Sequence, residues 1–308
     1  QTEQFGYRDY VDQCQRAVLC GGALCVEEII VIVKWVCDLS LWHKFWKGMV
    51  TEMKQKKCNI NMVLYELRNI NGNFMTHFFG IVFPNMMTLI FSKTIGAQVP
   101  EAARENVIVS IMLSMSLVIP MSIMFIGYGA LYSQEVEREV PLRMRLFGFH
   151  ERSLLTAKII AHMIFMTIAF IIYAVFQVFT MDIPKPAVSS VICLLVSLYL
   201  IGIMLLVIAH SLANIFRKFG ITFGITMAVY FTLMVLTGMM GISTEQLPKA
   251  LQKVAATLPM TYISNDFADF WTGGSYNFMP FIQAFIFFGA VTGILLMYAQ
   301  YRGRRVIK

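Results

Sequence analysis

The chain has 308 residues, 57% of them hydrophobic and 14% charged, where a soluble domain averages about 25% charged residues. Its mean hydropathy is +0.66. These values exclude an ordinary soluble enzyme, a disordered protein and a nucleic-acid-binding module. The net charge of +7 reads as positive charge on the cytoplasmic side of a membrane protein.

Taken in chain order, the first segment does not read as a span. Ala17–Leu41 is rich in apolar residues, but Glu27, Glu28, Lys34 and Asp38 interrupt it. Each such charge at a span centre would cost about 2.5–3.5 kcal/mol, so a membrane-surface or cytoplasmic helix is expected instead. Leu41–Asn61 mixes Trp42, Phe45 and Trp46 with Lys44, Lys47, Lys54, Lys56 and Lys57. That mixture suits an anionic inner leaflet and suits a basic tail equally. Residues 1–61 therefore form an N-terminal extension whose role the sequence leaves open, and residues 62–308 form the membrane domain. Cys14, Cys20, Cys25, Cys37 and Cys58 lie in the extension and Cys193 in a predicted span, with no CxxC pair among them. Free, reduced thiols are expected.

A helix crossing the hydrocarbon core needs about 20 mostly apolar residues. Charge-free gaps that long run from Arg68 to Lys93, Glu105 to Glu135, Lys158 to Asp182, Lys185 to Arg217, Lys218 to Glu245 and Asp269 to Arg302. They predict helices near 74–95, 107–131, 155–178, 187–209, 221–241 and 280–301. Strands of a membrane barrel would be shorter and would alternate apolar with polar residues. The predicted fold is an all-α, polytopic bundle of six transmembrane helices.

Lys and Arg in short loops set the orientation. With residues 42–73 placed inside, sixteen Lys and Arg fall in inside segments, against Lys93, Arg104, Lys185, Lys249 and Lys253 outside. Both termini are then cytoplasmic, and the protein is a multi-pass component of a cell membrane.

Two loops exceed what a connection requires. The inner one, 132–154, opens with Glu135, Glu137 and Glu139. Pro141 fits the first turn of a short helix. Leu142, Leu146 and Phe149 recur on one face, with Arg143 and Arg145 on others. Gly148 can end this helix, and Ser153 is a natural N-cap for the next span. The result is a short surface helix with an apolar stripe, basic flanks and a preceding acidic cluster. Such a helix can dock a soluble partner, or it can anchor the loop in lipid.

The outer loop, 242–279, holds two half-helices. Pro248 opens the first, in which Ala250, Leu251, Val254, Ala255 and Leu258 share a face, and Pro259 ends it. The second runs over Tyr262–Phe270 with Asn265, Asp266 and Asp269, and Gly273-Gly274 stops it. The pair reads as a re-entrant hairpin if protein or water covers its backbone, and as an amphipathic surface loop otherwise.

Within the spans, His77, His162 and His210 stand singly near span ends, and Asn85 and Gln177 are scattered. No chain of Asp, Glu or His suggests an ion relay. The many Met and Phe residues could line an apolar substrate route or simply face lipid. There is no GxxxxGK[ST], HExxH or GxSxG sequence, so nothing supports catalysis in this chain. Transport that needs energy without an ion relay must draw it from another subunit.

Three places stand out together: Tyr65-Glu66-Leu67-Arg68-Asn69 with Pro84 in the first span, Glu135 through Leu154-Leu155-x-x-Lys158, and Leu247-Pro248 through Leu258-Pro259-Met260-Thr261-Tyr262. In their order and spacing the chain resembles the permease subunit of a type-2 ABC exporter. The likeness covers residues 62–308. One departure is Val140-Pro141, where the family often has Gly-Thr after its glutamates.

The resemblance implies an amphipathic entry helix, a cytoplasmic coupling helix and an outer re-entrant helical hairpin before the last span. It implies that a cytoplasmic ATP-binding subunit docks at Leu142, Arg143, Arg145, Leu146 and Phe149, behind the acidic cluster Glu135, Glu137 and Glu139. In the outer hairpin it singles out Pro248, Leu251, Pro259, Tyr262 and Asp266. ATP and magnesium belong to the partner, this chain carries no cofactor or metal, and a second permease copy or homologue completes a dimer. The implied function is export of an amphipathic or hydrophobic substrate, such as a drug, peptide, lipid or glycan-lipid. An ATP-independent carrier or channel is the alternative, and it would need the ion relay or polar pore that the spans lack. A membrane-embedded enzyme would need clustered His, Asp or Glu near a span end.

Overall fold

The computed structural model describes residues 59–149, 151–181, 183–239, 244–274 and 276–306. The expected surface helix within Ala17–Leu41 and nearly all of the extension lie outside the described residues. What is described is all-helical. Six helices are long and apolar enough to cross a membrane.

The first helix, α1 (Ile60–Asn71), turns Met62, Glu66 and Ile70 inward at four-residue spacing and leaves Ile60, Leu64 and Tyr65 exposed. It is the amphipathic entry helix that the resemblance implies. The spans are α2 (Phe74–Gly96), α3 (Ala103–Glu137), α5 (Arg152–Thr180), α6 (Val188–Phe216), α7 (Phe219–Leu236) and α11 (Phe278–Arg302). Between α3 and α5 lies the short α4 (Val140–Leu146). Between α7 and α11 lie α8 (Lys249–Ala255), α9 (Pro259–Asn265) and α10 (Phe267–Trp271). Six alternating spans put α4 on one side of the bundle and the α8–α10 hairpin on the other.

The span ends differ from the charge-free gaps in an instructive way. Sequence places the end of the second span near residue 131, yet α3 continues to Glu137, because the acidic residues of that last turn have partners. The fifth span is shorter than expected. It stops at Leu236, where Thr237 folds its hydroxyl back onto Leu233 O and the chain turns at Gly238. Ser153 does not cap α5, since that helix already begins at Arg152.

α3 is the central element. Of its most apolar window 78% is buried, against 22–39% for the other five spans. It packs on α2, α6 and α7 and, at its far end, on α9 and α10. Met115, Leu117, Val118, Met121, Ile123, Met124 and Phe125 are all but fully enclosed. The exposed side chains of α5 and α6, among them Ile168, Ile171, Val175, Ile192 and Val196, are those expected of lipid-facing surface.

Both α2 and α3 contain a proline and a π-helical stretch. In α2, Phe78–Val82 precedes Pro84; in α3, Met121–Gly127 follows Pro120. Proline supplies no N–H and its ring crowds the carbonyl four residues earlier, so the backbone re-forms wider bonds. That account fits α2, where the residue four before Pro84 is Gly80; in α3 the wide bond, Tyr128 N to Ile123 O, lies beyond the turn that Pro120 disturbs.

The two stretches touch, and at the end of the second one Gly127 makes room for Thr76, which lies just before the first. A Cβ there would lie 2.7 Å from Thr76 Oγ1 and 3.2 Å from Thr76 Cγ2. Gly127→Ala should therefore destabilise the protein, by about 1–3 kcal/mol. Adding Thr76→Ala removes both obstructing atoms and should restore most of the loss in thermal unfolding of the purified protein. A double variant no more stable than Gly127→Ala would show that the crossing is not limited by this contact.

Candidate functional site

The three glutamates at the end of α3 do three different things. The Glu135 side chain is only 13% exposed. Its Oε1 accepts from Lys158 Nζ of α5 at 2.7 Å and from Asn69 Nδ2 of α1 at 3.2 Å. Lys158 Nζ also donates to both oxygens of Glu66, at 2.8 and 2.9 Å. Glu66 and Lys158 are 5% and 7% exposed. One ammonium thus ties together α1, α3 and α5.

Glu137 points elsewhere. Its Oε2 accepts from Phe219 N at 3.0 Å, the first backbone N–H of α7. A carboxylate suits that helix start, where N–H groups are unpaired and the dipole is positive. The end of α3 is in this way fastened to the beginning of α7.

Glu139 is the residue before α4 and sits in the left-handed region, at φ 56°. A non-glycine residue gives up about 1–2 kcal/mol there. Glu139→Gly should raise stability by several tenths to about 1 kcal/mol, seen as a higher thermal midpoint. An unchanged or lower midpoint would mean that the Glu139 side chain compensates the strain.

α4 itself has two sides. Leu142, Leu146 and Phe147 are 52%, 82% and 72% exposed, and Arg143 and Arg145 are exposed beside them. The underside is Met144 and Phe149, which pack on Met62 of α1 and on Leu154 and Ala157 of α5. The sequence pattern put Phe149 on the same face as Leu142 and Leu146. The structure turns it under instead, because Gly148 adopts φ 83° and Phe149 N reaches back to Met144 O at 3.1 Å. Phe147 takes the outward place.

A cavity of about 40 Å³ lies behind α4. Pro141 and Met144 of α4 and Leu154 and Leu155 of α5 form its apolar wall, while Glu66, Glu135, Lys158, Tyr132 and His210 form the polar one. Such a space holds about two waters.

Further into α3 the polar contacts continue. Tyr132 stacks on His210 of α6 with ring centres 4.6 Å apart and donates to Asn214 Oδ1 at 3.4 Å. Tyr128 OH is 2.8 Å from His210 Nδ1, and the Tyr128 ring meets His162 of α5 edge-on. His162 Nδ1 donates to Lys158 O at 2.8 Å. Histidines that look solitary in sequence are thus joined through two tyrosines one turn apart on α3.

On the opposite side, the hairpin divides more finely than the sequence suggests. Pro259 opens α9 rather than only closing the helix before it, and Asp266 (φ −110°) interrupts the expected second helix between α9 and α10. Of the expected α8 face, Ala255 and Leu258 are buried while Leu251 and Val254 are exposed. Pro248 is the residue before α8 and is exposed.

Met260, Ile263, Phe267 and Trp271 anchor the hairpin. Ser264 Oγ meets Ser114 Oγ of α3 at 2.7 Å, and Trp271 O accepts from Ala187 N at the start of α6. Tyr262 OH donates to Ala256 O. Burial and the neighbouring Asp269 charge push the Asp266 carboxyl up from its ordinary range. Burial, then Asp266, also raises the Tyr262 hydroxyl.

The model of the ABC-2 type transporter family matches residues 61–269, from α1 into α10. The chain belongs to the ABC-2 type transporter family. No curated protein matches it. This ABC-2 permease is a multi-pass membrane protein, a transport component that is not itself catalytic, in a family that works with an ATP-binding subunit. Everything assembled around α4 lies inside the matched segment.

Sequence reasoning did not pair Glu66 with Lys158 and Glu135 in this permease. The available signal was a carboxylate on the apolar face of an amphipathic helix, together with a lysine one turn into a span. Each alone is expensive near a membrane core, so each calls for the other.

Proposed function

We propose that this ABC-2 permease is the transmembrane part of an ATP-driven exporter whose ATP-binding subunit docks on α4. The observation that carries this reading is the two-sidedness of α4. Its outward face offers Leu142, Leu146 and Phe147 with Arg143 and Arg145, and its inward face is keyed into α1 and α5 through Met144 and Phe149. A push on α4 would reach α1 and α5 through that packing, then α3 through Lys158, then α7 through Glu137.

In this reading residues 62–308 are the permease domain, residues 1–61 an extension before it, and both termini are cytoplasmic. ATP and magnesium sit on the partner. A second permease copy or homologue supplies the other wall of the path. The hairpin α8–α10 is re-entrant on the outer side, and its packing on α3, α6 and α11 supports this, because backbone at membrane depth must be covered by protein. The substrate class is amphipathic or hydrophobic, since the groups facing lipid and core are overwhelmingly apolar.

The test is mild-detergent purification of the tagged protein from its own membranes, with mass spectrometry of what accompanies it. Recovery of an ATP-binding subunit whose hydrolysis is stimulated in the complex would bear the reading out. Recovery of the chain alone, where other membrane complexes survive, would move the weight to an ATP-independent carrier.

A further inference from the structure

The Glu66–Lys158–Glu135 cluster holds two carboxylates and one ammonium in a place where all three side chains are 13% exposed or less. Fully ionised, it would leave one uncompensated negative charge in a low-dielectric interior. Such a charge is costly, and a group in that position neutralises rather than remain charged. Among the described residues the neighbours do not supply the missing cation. Facing the cluster are Tyr65 and Asn69 from α1, Tyr132 from α3, His162 from α5 and His210 from α6, together with Pro141 and Met144 from α4. His162 gives its Nδ1 proton to Lys158 O, and its Nε2 is enclosed without a hydrogen-bond partner among the described residues. Protonating that nitrogen would bury a second cation beside Lys158. Glu137, the other nearby carboxylate, is occupied by Phe219 N.

We propose that the cluster is a proton-binding site in which one proton, carried on Glu135 Oε2, makes the three side chains jointly neutral and keeps α1 docked. The hydrogen bonds say which oxygen takes it. Both oxygens of Glu66 accept from Lys158 Nζ, which is the geometry of an ionised carboxylate facing its counter-ion. Glu135 Oε1 also accepts twice, from Lys158 and from Asn69. Glu135 Oε2 has no hydrogen-bond partner among the described residues, and Glu135 is one of the residues lining the small cavity behind α4. That cavity is large enough for the water that would deliver or take the proton, and α4 forms one of its walls. Movement of α4 would therefore expose the proton to exchange.

The experiment is infrared difference spectroscopy of the full chain in lipid at neutral pH, on wild type, Glu135→Gln, Glu66→Gln and Glu137→Gln. The expected result is a carboxylic-acid C=O band in wild type that is kept in Glu137→Gln and lost in both Glu135→Gln and Glu66→Gln, because Lys158 facing a single remaining carboxylate is neutral without a proton. Gln mimics the protonated carboxyl without having to take up a proton, so Glu135→Gln should fold with a thermal midpoint at or above that of wild type at neutral pH. It should lack the fall in midpoint that wild type shows as pH rises above the ordinary carboxylate range. Absence of the band would overturn the proposal, as would its persistence in Glu135→Gln. So would a Glu135→Gln protein that fails to fold, because an ionised Glu135 would then be required. A cluster stabilised in proportion to added sodium or potassium, with no acid band, would show that a metal cation fills the place instead.

Discussion

Lys158→Met is expected to cost the protein about 3–5 kcal/mol, the loss typical of breaking a buried ion pair from one side. The methionine keeps the length and apolar body of the lysine, so packing changes little and the cost is electrostatic. Glu66 and Glu135 would be left facing each other across an enclosed space, and α1 would lose its principal tie to α3 and α5. The measurement is the thermal midpoint and monodisperse yield of purified protein. A compensated triple variant, Lys158→Met with Glu66→Gln and Glu135→Gln, should recover much of the loss, because replacing a whole buried ionic group with neutral residues is often close to neutral. A single variant within about 1 kcal/mol of wild type would mean that the cluster is far better hydrated than its burial suggests.

Leu146→Arg has the opposite profile. Leu146 is 82% exposed, and surface changes of this kind usually alter stability by less than about 0.5 kcal/mol, so insertion and folding should be unaffected. Loss of one well-placed apolar anchor at an interface costs about 2 kcal/mol or more, and the new charge would have to be desolvated on docking. Binding of the ATP-binding subunit should fall by more than about tenfold, the factor that 1.4 kcal/mol represents. Transport should fall with it, while the partner's own basal hydrolysis persists. Transport that continues unchanged in this variant would remove α4 as the docking element. The pair of variants separates two roles within one region, since the first acts on the permease alone and the second only on its assembly.

The bundle was legible in the sequence because membrane helices are written as long runs without charge, and that rule needs no tertiary information. The positions of α4 and of the hairpin were legible too, through Pro141, Gly148, Pro248 and Pro259, whose backbone preferences are local. Three things were not. The outward side of α4 was misassigned at Phe149, because helical periodicity was carried past Gly148, where the chain leaves the helix. The hairpin's second helix was read as continuous across Asp266, since nothing in the local sequence marks that break. The cluster around Lys158 escaped because its members come from α1, α3 and α5. Which carboxylate finds which ammonium is fixed by packing between helices, and periodicity along one helix does not encode it.

The π-helical stretch in α3 has a consequence for how this protein tolerates change. It accommodates one residue more than an α-helix would over the same turn, and each residue advances an α-helix by about 100°. Deleting any one residue within Met121–Gly127 would let the local backbone relax into a more regular helix. The residues beyond would keep their facing, because the π turn absorbs its extra residue locally; the same deletion in an α-helical turn of α3 would instead rotate Tyr128, Tyr132 and Glu135 by about that angle away from His210, Asn214 and Lys158. The alignment of the α4 end with the rest of the bundle is therefore a matter of phase. Lineages of this chain should accept loss of one residue in that turn more readily than loss of one residue elsewhere in α3.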